Sequence, residues 1–183
     1  MKQLQFEEKF EEAGKLLAKG AVALEKAGAD YIFICSVTTN ISREYVQKSV
    51  KVPIVSIIDA LADPIKDKSI NTVGLIATKS TMDYPYFIPK MKEQGIKCIV
   101  PESSDRKIIH DVIYDELVWN KVYPASKKKY LAIIEKLKLK GAKGIILGCT
   151  EIPMLVNQSD IDIPVFDVTE LHCKKAIELA LEE

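Results

Sequence analysis

Residues 12–35 read EAGKLLAKGAVALEKAGADYIFIC and contain the unit from which the rest of the fold is built. Its first part has apolar residues three or four positions apart, which predicts an amphipathic helix. With the residues just before it, this apolar set is Phe6, Phe10, Ala13, Leu17, Ala21 and Leu24. Gly28 stands where a helix ends, because glycine adopts positive φ without strain. The short apolar run Tyr31–Cys35 then predicts a buried strand.

The same order of helix, glycine and strand repeats along the chain. We expect strands at Tyr31–Cys35, Ile54–Ile58, Thr72–Ala77, Lys97–Val100, Gly144–Leu147 and Val165–Phe166. Further helices are expected at about Ser42–Ser49, Tyr84–Gln94, Arg106–Glu116, Ser126–Lys140 and Thr169–Leu181. Asp63-Pro64 is typical of an N-cap and first helical residue. Continuous apolar strands that alternate with helices predict an α/β fold with parallel sheets covered on both faces.

Composition limits the classes of partner and cofactor. The chain is 48% hydrophobic and has zero formal net charge, which gives no broad field for nucleic acid or an anionic membrane. We find no apolar run of about 18 residues and no signal-like start, and therefore expect a cytoplasmic protein. The four cysteines, Cys35, Cys98, Cys149 and Cys173, are too far apart for zinc or disulfide spacing. We expect no metal, and any functional cysteine should act as a thiol.

Three expected loops follow predicted strands, and in parallel α/β folds ligands bind at the carboxyl ends of the strands. These loops are 35–40, 77–82 and 148–153, and all three are rich in small hydroxyl or thiol groups. Such groups suit a small polar ligand that carries a carboxylate. A glycine-rich phosphate loop is absent from the sequence, which argues against a nucleotide cofactor.

The run GAKGIILGCTEIPML at 141–155 closely resembles the C-terminal catalytic loop of aspartate, glutamate and hydantoin racemases. Five further segments resemble the aspartate racemase branch in order and spacing. They are EAGKLLAKGAVALEKAGADYIFIC (12–35), VPIVSIIDALAD (52–63), VGLIATKSTMD (73–83), IVPESSDRKIIHDVIYDEL (99–117) and IPVFDVTELHCKKAIELAL (163–181). The resemblance implies two pseudo-symmetric parallel-sheet lobes with the substrate between them. It places residues 1–70 and about 168–183 in the N-terminal lobe, and 71–167 in the C-terminal lobe.

The resemblance also implies an activity and its residues. It implies racemisation of aspartate or glutamate without pyridoxal phosphate, in which one thiolate removes the α-proton and a group on the opposite side returns it. Cys149 would be the base that serves the L-enantiomer, with its pKa held low by amide donors and a helix dipole. Ser36 would occupy the opposite catalytic position. Substrate binding is expected of Val37, Thr38, Thr39, Lys121 and Thr150, and supporting roles of Glu151, His172 and Thr81, with His172 able to pair with Cys149.

The chain departs from the family pattern in its N-terminal part. The usual motif is Cys-Asn-Thr-x-His, and alignment on Thr38 places Ser36 at the cysteine, Val37 at the asparagine and Asn40 at the histidine. Cys35 would then point to the opposite face of an extended segment, as a buried structural thiol. Family members normally carry a glycine-rich first strand ahead of this motif, and we find no such strand in this sequence. We therefore expect an incomplete N-terminal lobe that pairs with another chain, as a homodimer or larger homo-oligomer.

Two other classes of function remain open at this point. One is a catalytically inactive racemase-like binding or assembly protein, which Ser36 and Val37 favour. The other is a different isomerase or a decarboxylase of the same superfamily that acts on a small carboxylate. The intact GCTEIP loop at 148–153 and Lys121 favour the racemase.

Overall fold

The computed structural model describes residues 3, 4, 7 and 9–182, so Phe6 lies outside the described residues. Fourteen helices and strands are used below. They are α1 (Phe10–Lys26), β1 (Ile32–Phe33), α2 (Arg43–Gln47), β2 (Ile54–Val55), α3 (Ile57–Asp67), β3 (Thr72–Ala77), α4 (Lys79–Asp83), α5 (Phe87–Glu93), β4 (Lys97–Ile99), α6 (Ser103–Asp115), α7 (Pro124–Leu139), β5 (Ile145–Gly148), β6 (Val165–Asp167) and α8 (Val168–Leu181). Short 3-10 helices lie at Thr38–Ser42, Leu117–Trp119, Ile152–Met154 and Gln158–Asp160.

The strands form two parallel sheets. The larger has the order β4-β3-β5-β6, and the smaller pairs β1 with β2. Helices lie between the strands, because two parallel strands need a long crossover connection, which is usually helical. The predicted α/β class with parallel sheets is therefore confirmed. The division of the chain into two lobes, with its boundaries near residues 70 and 168, stays a prediction.

The buried side chains form two clusters of unequal size. The larger cluster surrounds β3 and β5, where Val73, Leu75 and Ile145 have no solvent exposure. The smaller cluster has six buried members around β1 and β2, including Ile32 and Ile54. The chain therefore has one main hydrophobic core and one small one.

Glycines allow β3, β5 and α7 to lie very close together. A Cβ at Gly74 would lie 2.9 Å from Cδ1 of Ile145 and 3.0 Å from Cδ1 of Leu137. A Cβ at Gly148 would lie 2.8 Å from the Cβ of Ala77 on the neighbouring strand. Any larger residue at these positions would force the strands or the helix apart.

Several predicted boundaries differ from the structure in the smaller sheet. The predicted strand 31–35 is β1, with two residues, because the chain turns after it and the N–H of Ser36 donates to the carbonyl of Ile34. The predicted strand 54–58 is β2, because Ser56 caps a helix and accepts from the N–H of Asp59. The predicted helix 42–49 is shorter and follows a 3-10 turn.

The prediction that Asp63 and Pro64 begin a helix was wrong. Pro64 lies inside α3, which begins at Ile57. Proline removes only its own donor and disturbs only the carbonyl four residues earlier, so a late position leaves most of the helix intact. The predicted helix 84–94 corresponds to the shorter α5, because Tyr84 before Pro85 has an extended backbone, and α4 lies at residues that were predicted as a loop.

Glycine ends the helices before three strands, as predicted. Gly28, Gly95 and Gly141 have φ of +90°, +80° and +100°, which side chains with a Cβ adopt only with strain. Within residues 3, 4, 7 and 9–182, no helix is both long and apolar enough to cross a membrane.

The two leucines near the end of α7 provide a test of the core. Leu137 is 1% exposed and packs on Gly74, whereas Leu139 is 88% exposed. Leu137→Ala should lower the free energy of unfolding by about 2–5 kcal/mol. The matched change Leu139→Ala should alter it by less than about 0.5 kcal/mol. Urea unfolding measures both, and equal losses would contradict the placement of α7.

Candidate active site

The carboxyl ends of β1, β3 and β5 are each followed by one of the three loops expected at the site. Thr38, after β1, meets two residues that follow β3. Its Oγ1 lies 3.0 Å from Oγ1 of Thr81 and 3.5 Å from Oγ1 of Thr78. Thr78 and Thr81 are themselves bonded at 3.1 Å, and Thr78 caps α4 by accepting from the N–H of Thr81. The three hydroxyls form a cluster that joins the two sheets, which we call the threonine cluster.

Cys149 follows directly after β5 and is half-buried against the main core. Its Sγ donates to Oε2 of Glu151 over 3.0 Å, and the Thr150 hydroxyl donates to the same oxygen over 2.7 Å. Glu151 precedes the 3-10 helix at 152–154. Cys149, Thr150 and Glu151 therefore form a compact group with one shared acceptor.

Burial, together with the hydrogen bond to Glu151 and the charge of Glu151, raises the pKa of Cys149 to about 12. The amides of Thr150 and Glu151 act in the opposite direction but are outweighed. The expectation that amide donors hold this pKa low was therefore wrong for the free chain. The physical reason is that the strand carrying Cys149 ends in the core, where a thiolate is poorly solvated.

Two tyrosines next to Cys149 were missed in the sequence. Burial raises the pKa of Tyr114, and the charges of Cys149 and Glu151 add to the effect. Burial also raises the pKa of Tyr130, again with a contribution from Cys149, and its hydroxyl donates to the carbonyl of Ile109 over 2.9 Å. Both lie on helices, where an aromatic residue gives no signal that separates a site wall from ordinary core.

Ser36 and Thr150 line the same cavity, which has an accessible volume of about 270 Å³. The loop that presents Ser36 is anchored by its own main chain. The carbonyl of Ser36 accepts from the Thr39 hydroxyl over 3.1 Å and from the Asn40 amide over 2.8 Å. Thr39 therefore uses its hydroxyl to hold the loop. Val37 is 5% exposed and packs into the main core.

The prediction that Cys35 is a buried structural thiol was wrong, because Cys35 is exposed. β1 ends at Phe33, so the strict alternation of faces stops before Cys35 is reached. Cys35 and Ser36 consequently line the same cavity. Cys173 is also exposed at this cavity, whereas burial raises the pKa of Cys98 to about 12.

His172 lines the cavity, but the contacts of its ring are with residues other than Cys149. Its ring lies 4.9 Å from that of Phe33, centroid to centroid. Burial lowers the pKa of His172, and a hydrogen bond with the Val55 main chain opposes this in part. Its Nε2 is buried without a hydrogen-bond partner among the described residues. The structure does not bring His172 and Cys149 into the expected pair.

Lys121 lies outside this arrangement. It is exposed, in the link between the 3-10 helix at 117–119 and α7, and its N–H donates to the carbonyl of Glu116 over 3.0 Å. Asn120 before it has φ of +56°. The Lys121 side chain forms no ion pair within the described part of the chain and does not line the cavity with Ser36.

Comparisons with known proteins show the family and the fold. The model of the Asp/Glu/hydantoin racemase family matches residues 3–176. A candidate Asp/Glu racemase from Yersinia pestis is 35% identical with a TM-score of 0.93, over 99% of this chain and 79% of the other. An aspartate racemase homologue from Pyrococcus horikoshii is 38% identical with a TM-score of 0.85, over 92% of this chain and 74% of the other.

Curated relatives are more distant in sequence. An uncharacterised Pectobacterium carotovorum protein is 30% identical over 127 residues, which are 68% of this chain and 83% of that protein. A glutamate racemase from Desulforudis audaxviator is 25% identical over 130 residues, which are 70% of this chain and 46% of that enzyme. The match thus spans about half the length of that glutamate racemase.

Thiol labelling tests the environment of Cys149. Limiting iodoacetamide at about pH 8 should label Cys35 and Cys173 before Cys149, because only a thiolate reacts and the pKa of Cys149 is about 12. Glu151→Gln removes two causes of that raised pKa and should speed labelling of Cys149, about tenfold for each unit by which the pKa falls. The control Glu93→Gln, at an exposed position of α5, should have no effect. Peptide mass mapping that finds Cys149 labelled first in the parent would contradict the buried-thiol geometry.

Proposed function

The chain belongs to the Asp/Glu/hydantoin racemase family, and from this premise we propose that it removes and returns the α-proton of aspartate or glutamate without a metal or coenzyme. The observation that carries the proposal is the group of Cys149, Thr150 and Glu151 at the carboxyl end of β5. A thiol there can reach a substrate held between the strand-end loops. Substrate and enantiomer are part of the proposal.

The proton acceptor in this proposal is the Cys149 thiolate. In the free chain the thiol is protonated and donates to Glu151, which orients Sγ. An amino-acid ammonium group that binds beside Glu151 offsets the negative charge that raises the Cys149 pKa. The thiol then loses its proton to solvent, and the thiolate takes the α-proton while the electron pair passes into the substrate carboxylate.

Hydroxyls are the proposed binding groups for that carboxylate. The threonine cluster and Thr150 supply donors without burying a charged side chain. Charge that develops on the carboxylate in the transition state is stabilised by such donors where water is excluded. Following the family resemblance, Lys121 is the proposed cation for a second carboxylate, and the structure places it outside the cavity that Ser36 and Thr150 line.

In this proposal the opposite face of the substrate meets only a weak proton donor. Ser36 has a hydroxyl, which is a much weaker acid than a thiol at neutral pH. Cys149 can therefore exchange the α-proton of one enantiomer, whereas inversion to the other is slow. Following the family resemblance, Cys149 serves the L-form.

Two observations favour a second candidate function. The pKa of Cys149 near 12 and the hydroxyl at Ser36 together favour a racemase-like protein that binds an acidic amino acid and does not turn it over. The two candidates differ only in chemistry at the α-carbon, so the following measurement separates them.

Proton exchange distinguishes the two enantiomers. In deuterated buffer the chain should exchange the α-proton of L-aspartate or L-glutamate faster than that of the D-form, with little net racemisation, because the proposed group opposite Cys149 is the Ser36 hydroxyl and not the neighbouring thiol of Cys35. Proton NMR measures both, and Cys149→Ala should abolish the exchange. Equal exchange from both enantiomers would contradict the one-thiol mechanism.

The variant Ser36→Cys should add the missing thiol and raise exchange of the D-form together with net racemisation. Ser159→Cys, at an exposed position that does not line the cavity, is the matched control and should change neither. If binding is measurable but no exchange occurs in the parent or in Ser36→Cys, the binding-protein candidate is favoured.

The pH dependence follows from the raised pKa of Cys149. Because the pKa of about 12 lies far above neutral pH, the thiolate fraction rises nearly tenfold per pH unit. Exchange of the L-form at subsaturating substrate, which reports the thiol of the free chain, should therefore rise steeply from about pH 6.5 to about pH 8.5. A flat profile over this range would show that another group removes the proton.

A further inference from the structure

The short helix α4 is held by α6 at both of its ends. The N–H of Lys79, the first residue of α4, donates to Nδ1 of His110 over 3.4 Å. At the last residue of α4, Oδ1 of Asp83 lies 2.9 Å from Nη1 of Arg106. Arg106 and His110 are four residues apart, so they lie on one face of α6. That face therefore fixes the start and the end of α4.

The same face of α6 continues to the group around Cys149. Tyr114 lies one turn beyond His110, and the two ring centroids are 4.6 Å apart. Tyr114 stands beside Cys149 and Glu151, whose charges add to the effect of burial in raising its pKa. His110 is therefore situated between the loop that follows β3 and the loop that follows β5.

The position of α4 decides the geometry of the threonine cluster. Thr78 caps α4 and Thr81 lies in its first turn, so α4 carries two of the three hydroxyls. The N–H of Thr81 donates to Oγ1 of Thr78, and the N–H of Met82 donates to the Thr78 carbonyl over 3.1 Å. Any shift of this turn moves both hydroxyls relative to Thr38, whose Oγ1 lies 3.0 Å from that of Thr81.

The contact at the start of α4 depends on the protonation state of one ring. The first N–H groups of a helix have no acceptor within the helix, and His110 supplies one for Lys79. A neutral imidazole has one nitrogen that accepts a hydrogen bond, whereas an imidazolium has a proton on both nitrogens and accepts none. A cation beside the first turn of a helix is also unfavourable. Protonation of His110 therefore replaces an attractive contact with a repulsive one.

The surroundings of His110 favour its neutral form at neutral pH. Burial lowers the pKa of His110 from its ordinary value of 6.5, and the charges of Lys79 and Lys107 act in the same direction. The carboxylates of Asp111 and Asp115 oppose this in part. Because the pKa is lowered, the contact with Lys79 is intact at neutral pH and is lost as the pH falls below 6.5.

We propose that His110 is a positioning residue for the substrate: as a neutral acceptor it holds the first turn of α4, and with it Thr78 and Thr81, in the arrangement that binds the substrate carboxylate. Protonation of the ring releases this turn and weakens binding. The inference rests on the binding role proposed for the threonine cluster, and it does not depend on proton removal by Cys149.

Two variants separate the acceptor of His110 from its ring. His110→Asn places an amide oxygen near the position of Nδ1, so it keeps an acceptor that does not titrate. His110→Phe keeps a ring beside Tyr114 and has no acceptor. The site is half-buried and lies on a helix, and circular dichroism checks that both variants fold.

Titration calorimetry with L-aspartate and with L-glutamate tests the proposal at about pH 7.5 and at about pH 5. The parent should bind about threefold to tenfold more weakly at the lower pH, because the net contribution of one hydrogen bond is lost. His110→Asn should bind like the parent at the higher pH and equally well at the lower pH. His110→Phe should bind weakly at both.

Hydrogen exchange tests the same contact without a ligand. The amide of Met82 closes the first turn of α4, so its protection reports whether that turn is held. At one pH of about 7.5, this protection should be lower in His110→Phe than in the parent and in His110→Asn. Equal protection in all three proteins would show that His110 does not hold the turn.

The binding results can also overturn the proposal. Equal affinities of the parent and both variants at both pH values would exclude a positioning role. The chain has two histidines, and a pH effect that persists in His110→Asn would belong to another group such as His172. A folded parent that binds neither amino acid would contradict the inference as well. The expected binding pattern without any exchange of the α-proton would contradict only the proposed racemase activity.

Discussion

The pairing of β3 with β5 is the contact on which the site depends. Ala77 stands opposite Gly148 in the register, and the space between the strands has no room for a Cβ at Gly148. β3 and β5 therefore end at the same level along the sheet. The next residues, Thr78 and Cys149, leave the sheet together, and each begins a loop of the candidate site. A register shift of one residue would separate hydroxyl donors from the thiol.

Burial at the carboxyl ends of β3 and β5 positions the thiol of Cys149 and also lowers its reactivity. Cys149 is positioned by a core strand, and the same surroundings keep its thiol protonated. The exposed thiols, Cys35 and Cys173, are more accessible to reagents, whereas the thiol that donates to Glu151 is that of Cys149. Reactivity at Cys149 thus has to be produced by the ligand, whose charge changes the electrostatics of the group it meets.

The sequence was most informative where an element was long and apolar. The strand at 72–77 was predicted to the residue. The smaller sheet was predicted less well, because hydrogen bonds of the turn at Ser36 and the cap at Ser56 decide where its strands end. The meeting of Thr38 with Thr81 followed from the strand-end rule, whereas the position of Tyr114 beside Cys149 depends on how helices pack and has no local signature.

The unequal size of the two hydrophobic clusters has a consequence for the way the molecule opens. The protection of a main-chain amide from hydrogen exchange reflects the free energy of the smallest unfolding event that exposes it. The amides of β3 are enclosed by the main cluster, whereas those of β1 are held by six buried residues and one paired strand. The threonine cluster joins the two sheets through hydrogen bonds between side-chain hydroxyls, and such bonds can break and reform quickly. The smaller sheet can therefore unfold locally and refold while the larger one stays intact, so the two halves of the ligand site have different lifetimes.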